Sequence, residues 1–198
     1  MGKRTKSATR CMRCRMHAQH CICDLITRLH LETRVSVLMH RRERAKTTAT
    51  AHLGALALSN FAIYLRGDPN ISIPFELLLD SKWRPVLLFP ADDARVLTSD
   101  LVLEDSRPIH LIVPDGNWRQ ASKVTTRMPE IAHVPRVVLP PGPPSRYKLR
   151  REPKQDGLAT YEAIARSLGI IEGPSVQEML EKPFDAMVQR TLLTRRGL

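Results

Sequence analysis

All four cysteines of this 198-residue chain lie within thirteen residues, at Cys11, Cys14, Cys21 and Cys23. The segment around them is basic and poor in aromatic residues, so apolar burial alone could not hold it together. Four thiolates spaced C-x2-C-x6-C-x-C form the tetrahedral, sulfur-rich ligand set that Zn²⁺ prefers in structural sites. The sequence therefore predicts a zinc-binding module over residues 10–30 that stabilises structure, because a site closed by four sulfurs leaves no position open for catalysis.

Two other uses of these cysteines stay open. Disulfide bonds would require an oxidising compartment, whereas the first residues contain no apolar stretch typical of a secretory signal peptide. An iron–sulfur cluster would use the same four thiolates. His17 and His20 lie between the two cysteine pairs and could replace a thiolate, but with four sulfurs at hand we expect both to be solvated spacers.

The chain carries 31 lysine and arginine residues against 20 aspartate and glutamate residues, a formal net charge of +11. Such an excess attracts polyanions over long distances, so the expected partner is a nucleic acid. Residues 1–9 are basic, small and polar and are expected to form a disordered leader. The apolar windows, such as 53–65, are shorter than the roughly 18 to 20 uncharged residues that span a bilayer. The sequence therefore predicts a cytoplasmic protein with no membrane segment. It leaves the oligomeric state open, with a monomer slightly favoured.

Short apolar runs bounded by proline or polar residues predict four strands, at 34–39, 85–89, 110–113 and 134–139. Apolar residues at helical spacing predict helices over 48–65, from Trp118 onward, over 160–168 with Thr160 as its cap, and after a capping box of Ser175 and Glu178. Pro183 is expected to interrupt the last helix. This alternation predicts an α/β fold over residues 31–198, with a mostly parallel sheet covered by helices on both faces.

Polar segments follow three of the predicted strands, at 40–46, 115–119 and 145–151. Because the carboxyl ends of parallel strands share one edge of a sheet, we expect these segments to converge there and to form the ligand site. The sequence contains no glycine-rich phosphate loop of the Walker or dinucleotide type. Its absence disfavours nucleoside triphosphate chemistry and ordinary dinucleotide redox chemistry.

Five motifs occur in a defined order along the chain. They are the four-cysteine motif, L-M-H-R-R-E at 38–43 followed by Thr50, V-P-D-G-N-W-R-Q-A at 113–121, S-R-Y-K-L-R at 145–150 and T-Y-E-A at 160–163. In that order they resemble the DTW-domain proteins, which are related to the SPOUT RNA-modifying enzymes, over Cys11 to about Ala163. The chain departs from the family pattern where Asn117 replaces the usual threonine and Ala49 replaces an asparagine.

The resemblance implies transfer of the 3-amino-3-carboxypropyl group of S-adenosylmethionine to N3 of a tRNA uridine. The products would be acp3U and methylthioadenosine. The resemblance also implies a SPOUT-like knotted fold, in which a threaded loop holds the co-substrate. Strand alternation by itself predicts an unknotted sheet.

The resemblance implies catalytic roles for Asp115 and Trp118. Asp115 would either accept the proton of uridine N3 or hold the ammonium group of S-adenosylmethionine, although aspartate before glycine is also a common turn former. Trp118 would stack on the uridine or on adenine, or else anchor the helix that it begins. The sequence leaves these uses open.

Two further groups of residues complete the expected site. The first group would bind S-adenosylmethionine. It combines apolar side chains, main-chain groups and an arginine at the end of the fourth strand and in the loop after it with the start of the helix over 160–168, and consists of Leu139, Pro140, Ser145, Tyr147, Leu149, Arg150, Thr160 and Glu162. Basic and polar side chains would bind the RNA, at His40, Glu43, Arg119, Arg146 and Arg151. The arginines suit either the methionine carboxylate or RNA phosphates, because a guanidinium offers paired donors to both. Thr160 and Glu162 would also serve simply to cap their helix.

Two other functions compete with the transferase. A SPOUT-type methyltransferase would use the same co-substrate but release S-adenosylhomocysteine. An inactive zinc-bearing RNA-binding protein would bind tRNA without any dependence on S-adenosylmethionine and would produce no modified nucleoside. The acidic and aromatic residues Asp115 and Trp118 favour an active site over an inactive one.

Overall fold

A computed structural model describes residues 10–46, 49–149 and 157–196. The predicted leader over 1–9 and the candidate site residues Arg150 and Arg151 lie outside these ranges. The strands are β1 (Arg34–His40), β2 (Phe61–Arg66), β3 (Arg84–Leu88), β4 (Arg95–Val96), β5 (Ile109–Asp115) and β6 (Arg136–Val138). The helices are α1 (His52–Ala57), α2 (Phe75–Leu78), α3 (Ser99–Leu103), α4 (Trp118–Ala121), α5 (Val124–Arg127), α6 (Thr160–Ile171) and α7 (Pro174–Arg196).

The six strands form one sheet in the order β2-β1-β5-β3-β6-β4, and every neighbouring pair is parallel. The pairing places His40 of β1 opposite Arg66 of β2, and Met39 of β1 opposite Asp115 of β5. The carboxyl ends of the three neighbouring strands β2, β1 and β5 therefore meet. This arrangement confirms the predicted α/β fold with a mostly parallel sheet.

Both faces of the sheet are covered, as predicted. On one face Val37, Leu111 and Val113 pack in a cluster that includes α6, α7 and buried residues of the cysteine-containing segment. On the other face Leu38 and Ile112 pack against residues of α2 and α5. Since successive strand residues point to opposite faces, His40 shares the face of Leu38, whereas Asp115 shares the face of Val113 and α6.

The helix predicted over 48–65 is wrong in most of its length. Helix α1 covers only His52–Ala57, and Phe61–Arg66 forms the edge strand β2 paired with β1. The alanines and leucines before Ser59 have helical spacing, but Leu58 already has extended backbone and forms a bridge with Leu29. Pairing with β1 outweighs the helical propensity of the following apolar residues. The two-residue strand β4 was also not predicted.

The two C-terminal helices differ from the prediction at their starts and at one proline. Thr160 is the first residue of α6, after the N-cap Ala159, and so does not cap its own helix. Helix α7 begins at Pro174, before the predicted capping box, and it continues through Pro183 instead of being interrupted there. Pro183 and its neighbour Phe184 are buried. Packing in the core therefore keeps α7 continuous despite the hydrogen bond that a proline removes.

Helix α7 contacts two distant parts of the chain. The Arg190 guanidinium donates a hydrogen bond to the carbonyl oxygen of Cys21, and that of Arg195 donates to the carbonyl oxygen of Leu149 at 2.8 Å. The cysteine-containing segment and the loop after β6 thus both lie against this helix. None of the helices within the described ranges is long and apolar enough to cross a membrane.

His110 is a fully buried histidine at the centre of the sheet. Its Nε2 lies 2.7 Å from Oγ of Ser36 on the neighbouring strand β1. Burial, reinforced by the charge of Arg34, lowers the pKa of His110 from 6.5 to about 4. Because this pKa is lower in the folded chain than in the unfolded one, protonation favours unfolding. The stabilisation is complete above pH 6.5 and is lost as the pH falls towards 4.

We therefore expect the free energy of unfolding to depend on pH through His110. Between about pH 8 and about pH 5, the unmodified chain should lose about 2 kcal/mol more stability than the His110→Gln variant. Glutamine places an amide near the position of Nε2 but does not titrate. Urea unfolding of both proteins at the two pH values measures the difference, and equal losses in the two proteins would contradict a neutral buried imidazole.

Candidate functional site

The candidate site lies where β2, β1 and β5 end. Arg66, His40 and Asp115 are the last residues of these strands. Arg66 and Asp115 are both only 7% exposed, whereas His40 is half-buried. Burial, together with the charges of Arg66 and two other arginines, lowers the pKa of His40. The predicted convergence of polar segments at this edge is thus observed for the segments after β1 and β5.

The carboxylate of Asp115 is oriented by helix α6. The hydroxyl of Thr160, the first residue of that helix, donates a hydrogen bond of 2.5 Å to Oδ1 of Asp115. The backbone N–H of the next residue, Tyr161, donates to Oγ1 of Thr50 at 3.1 Å. The start of α6 is therefore fixed both to the end of β5 and to the segment before α1.

The turn after β5 leads directly into helix α4. Asn117 is the N-cap of α4 and forms a capping box with Gln120. The side chain of each residue accepts a hydrogen bond of 2.9 Å from the backbone N–H of the other. Asparagine is a good N-cap residue, so the replacement of threonine at 117 is compatible with the helix. Trp118 is half-buried, and its ring lies 6.0 Å from that of Phe89, which follows β3.

Glu162 joins α6 to the loop after β6. Its carboxylate is completely buried and accepts hydrogen bonds from the hydroxyl of Ser145 at 2.5 Å, the N–H of Arg146 at 3.0 Å and the guanidinium of Arg166 at 3.1 Å. Three donors, one of them charged, compensate the burial of this carboxylate. Glu162 thereby fixes the start of the S-R-Y-K-L-R motif to the first turn of α6.

The rest of the loop is fixed by further contacts with α6 and α7. Arg166 donates to the carbonyl oxygen of Pro143 at 2.8 Å. Arg146 forms ion pairs with Glu181 and with Asp185 of α7, the latter at 2.7 Å. The Tyr147 ring stacks on Phe184 with ring centroids 6.1 Å apart. The loop is therefore held at both its proline-rich and its basic parts.

The remaining predicted site residues have different surroundings. Leu149 is buried and Leu139 is half-buried in the core, whereas Pro140 is exposed. Arg119 is exposed on α4, one residue after Trp118. Glu43 is only 2% exposed and pairs with Lys46 at 2.6 Å. These placements bring Asp115, Thr160, Glu162, Ser145 and Tyr147 to the α6 face, while His40 lies on the opposite face of the sheet.

Sequence reasoning assigned no role to Arg66, Thr50 or Arg166, which contact the site directly. Arg66 was missed because β2 was read as a helix. The aromatic and β-branched residues Phe61, Ile63 and Tyr64, preceded by a polar turn, are the signal that could have identified the strand. Nothing in the local sequence shows that an arginine ending this strand is buried.

The four cysteines form a compact cluster near α7. Their sulfur atoms all lie within 4.8 Å of one another, with Cys11–Cys23 and Cys14–Cys21 distances of 3.6 Å. A tetrahedral site with Zn–S bonds of about 2.3 Å has sulfur–sulfur edges of about 3.8 Å, so the spacing suits a metal ion. All four thiols are free, without disulfides. The cluster can therefore bind a metal ion.

The four cysteines differ in their acid–base surroundings. Backbone N–H groups of Cys14 and Arg13 lower the pKa of Cys11 to about 6, whereas burial raises the pKa of Cys23 to about 12. A bound cation would offset the burial that disfavours the thiolate form. Cys14 and Ile22 belong to the main core cluster, so the cysteine-containing segment packs on the same core as α7.

Comparisons with known proteins agree with the motifs. The sequence profile of the DTW domain matches residues 8–192. The tRNA-uridine aminocarboxypropyltransferase 2 of Macaca fascicularis is 26% identical over 188 residues, which cover 92% of this chain and 63% of that protein. The Drosophila melanogaster protein of the same name is 25% identical over 191 residues, covering 92% and 75%. That of Mus musculus is 25% identical over 183 residues, covering 89% and 61%.

The chain thus spans about three fifths of the length of the macaque and mouse proteins. No solved structure matches it. The profile covers nearly the whole chain and includes the four cysteines, the Asp115–Trp118 turn and the start of α6. On these grounds the chain belongs to the DTW domain family.

Proposed function

We propose that this protein is a tRNA-uridine aminocarboxypropyltransferase, which transfers the 3-amino-3-carboxypropyl group of S-adenosylmethionine to N3 of a uridine. The observation that carries the proposal is the arrangement at the start of α6. Thr160 orients the carboxylate of Asp115, and Glu162 in the same helical turn holds the loop after β6. The names of the relatives and their extended similarity support the same activity.

The residues around this helical turn suit S-adenosylmethionine. The co-substrate has an adenine ring, an ammonium group and a carboxylate. Leu139, Tyr147 and Leu149, which pack on the core, would form the apolar wall beside the ring, and the main chain of the loop would offer donors and acceptors to its edge. Arg150 would bind the carboxylate. When bound, S-adenosylmethionine supplies a carbon that is activated by its sulfonium leaving group.

The side chains of the turn after β5 would act on the uridine. Asp115 accepts the N3 proton, which leaves the nitrogen free to bond to the γ-carbon of the methionine arm as the carbon–sulfur bond breaks. Thr160 keeps the carboxylate in position during this transfer. Trp118 offers its ring face to the uracil base, because stacking accepts any base in the right position. Alignment of nitrogen and carbon selects this arm of the sulfonium in place of the methyl group.

The RNA-binding roles follow from charge and position. His40, Arg119, Arg146 and Arg151 are proposed to bind the tRNA, and the buried Glu43 is proposed to order the RNA-facing wall through its ion pair with Lys46. The positive charge of the chain would make the affinity for tRNA fall with salt. The four-cysteine cluster is proposed to bind structural Zn²⁺ within a module over 10–30. A catalytic domain over 31–198 with a SPOUT-like knot, as the family resemblance implies, is also part of the proposal.

Mass spectrometry of tRNA nucleosides tests the proposal. Unmodified tRNA incubated with the protein and S-adenosylmethionine should gain acp3U, with one methylthioadenosine released for each modified uridine. A methylated nucleoside with S-adenosylhomocysteine would instead establish a methyltransferase. Tight tRNA binding with no new nucleoside, across total tRNA from several sources, would favour the inactive RNA-binding protein. A heat-inactivated sample is the control.

A further inference from the structure

Arg66 is a buried arginine that joins the ends of three strands. It ends β2 and is 7% exposed. Its Nε donates a hydrogen bond to the carbonyl oxygen of Leu38 on β1 at 3.0 Å, and one of its terminal nitrogens donates to the carbonyl oxygen of Asp115 on β5 at 3.3 Å. One side chain thus crosses β1 and fixes the last residue of β5.

The turn after Asp115 needs a glycine because of the capping residue Gln120. Gly116 has a φ of +152°, and a Cβ at this position would lie 2.8 Å from Oε1 of Gln120, whereas its distance of 3.4 Å from the terminal nitrogen of Arg66 would be an ordinary contact. The guanidinium of Arg66 therefore lies against the same turn that Gln120 caps.

Arg66 and Asp115 also interact through their charges. Burial lowers the pKa of Arg66, and the negative charge of Asp115 raises it. The attraction is mutual, so the guanidinium favours the ionised form of the carboxyl group. The described hydrogen bonds of Arg66 go to main-chain carbonyl oxygens, so the burial of its charge costs free energy. Stability alone therefore does not explain an arginine at this position.

We propose that Arg66 is a positioning residue for the candidate base: it fixes the main chain of Asp115 from the opposite face of the sheet and places a positive charge near the Asp115 carboxylate. The inference rests on the proposed function, in which Asp115 accepts the proton of uridine N3. Arg66 itself touches neither the uridine nor S-adenosylmethionine. It acts through the Asp115–Trp118 turn.

Two variants separate the geometric effect from the charge effect. Arg66→Gln removes the charge and should lower kcat about 10- to 100-fold, with the KM for tRNA changed less than about twofold. In its pH–rate profile, the acidic limb, where the rate falls as the pH is lowered, should shift to higher pH by about half to one unit. The reason is that the ionised carboxylate of Asp115 loses a neighbouring cation. Arg66→Lys retains the charge but replaces the planar set of N–H donors of the guanidinium by one ammonium group. The acidic limb of the pH–rate profile should therefore stay in place, while kcat recovers only in part.

Arg84→Gln is the matched control. Arg84 begins β3 at the opposite end of the sheet, its side chain is 14% exposed, and it donates to the carbonyl oxygen of Leu101 at 2.7 Å. It is thus another largely buried arginine bound to a main-chain carbonyl, and it also pairs with Glu104 at 3.2 Å. Its replacement should leave the acidic limb unmoved. An unmoved limb in Arg66→Gln, or equal shifts in both variants, would overturn the proposal.

A measurement without turnover separates this inference from the proposed function. The chain has two tryptophans, so in a Trp83→Phe background the fluorescence reports Trp118, three residues after Asp115. We expect a pH-dependent change that is absent in Asp115→Asn and that moves to higher pH in Arg66→Gln. If no acp3U forms, the proposed function fails while this titration still tests Arg66. If the midpoint does not move, the Arg66 inference fails even though acp3U forms.

Discussion

The Asp115→Asn variant is expected to lose about 10²- to 10⁴-fold in kcat for acp3U formation, the range typical of general-base catalysis. Asparagine has nearly the same shape and can still accept the hydrogen bond from Thr160, but it cannot take the proton of uridine N3. The affinity for tRNA should stay nearly unchanged, because phosphate contacts dominate it. Single-turnover formation of acp3U and fluorescence anisotropy with labelled tRNA measure the two quantities.

Asp105→Asn is the control for this experiment. Asp105 is an aspartate outside the site that pairs with Arg107 at 2.6 Å. Its replacement should leave kcat unchanged. A fully active Asp115→Asn would remove the proposed base. A variant that has normal kcat but a much higher KM for S-adenosylmethionine would assign the carboxylate to the ammonium group instead.

Replacing Cys11 and Cys14 together by serine is expected to release the metal and to unfold the segment over 10–30. Structural zinc contributes on the order of 10 kcal/mol to the folding of small modules, comparable with the whole stability of a domain. Cys14 is also part of the main core, so the loss should spread to α7. Elemental analysis should find one zinc ion in each unmodified chain and none in the variant, and hydrogen exchange should show lost protection over 10–30.

Met12→Ser provides a control within the same loop. Met12 lies between the two cysteines but is 94% exposed, so its replacement should retain the metal. If the cysteine variant is insoluble, titration of the unmodified protein with a chelator measures the same coupling between metal release and loss of protection. Zinc retained by a soluble double variant would refute the ligand assignment. Iron with visible absorption in the unmodified protein would identify an iron–sulfur cluster.

The sequence predicted the central strands because their signals are local. The apolar runs that form β1, β3, β5 and β6 are short, β-branched and bounded by proline or polar residues, which restricts them to strands. The edge strand β2 was misread because alanine and leucine at helical spacing lead up to Ser59 and Asn60, the polar residues that precede the strand. Pairing with β1, a tertiary interaction, fixes its conformation.

The site was predictable from the sequence where its contacts join residues that are close together in the chain. Asn117 and Gln120 form a capping box within four residues, so a helix starting at Trp118 follows from the sequence. The contacts that define the rest of the site join distant residues. Thr160 hydrogen-bonds to Asp115, 45 residues away, and Tyr161 to Thr50, 111 residues away. Such contacts depend on the packed sheet, and no local pattern reveals them.

Helix α7 follows every other described element in the chain, yet the cysteine-containing segment lies against it, with Arg190 bonded to a residue 169 positions earlier. During synthesis on the ribosome, the cysteines emerge long before the helix that will cover them. Contacts of such long range form late in folding. The zinc proposed for the four cysteines would keep the nascent segment compact until α7 arrives, and the yield of folded protein would then depend on the supply of metal during translation.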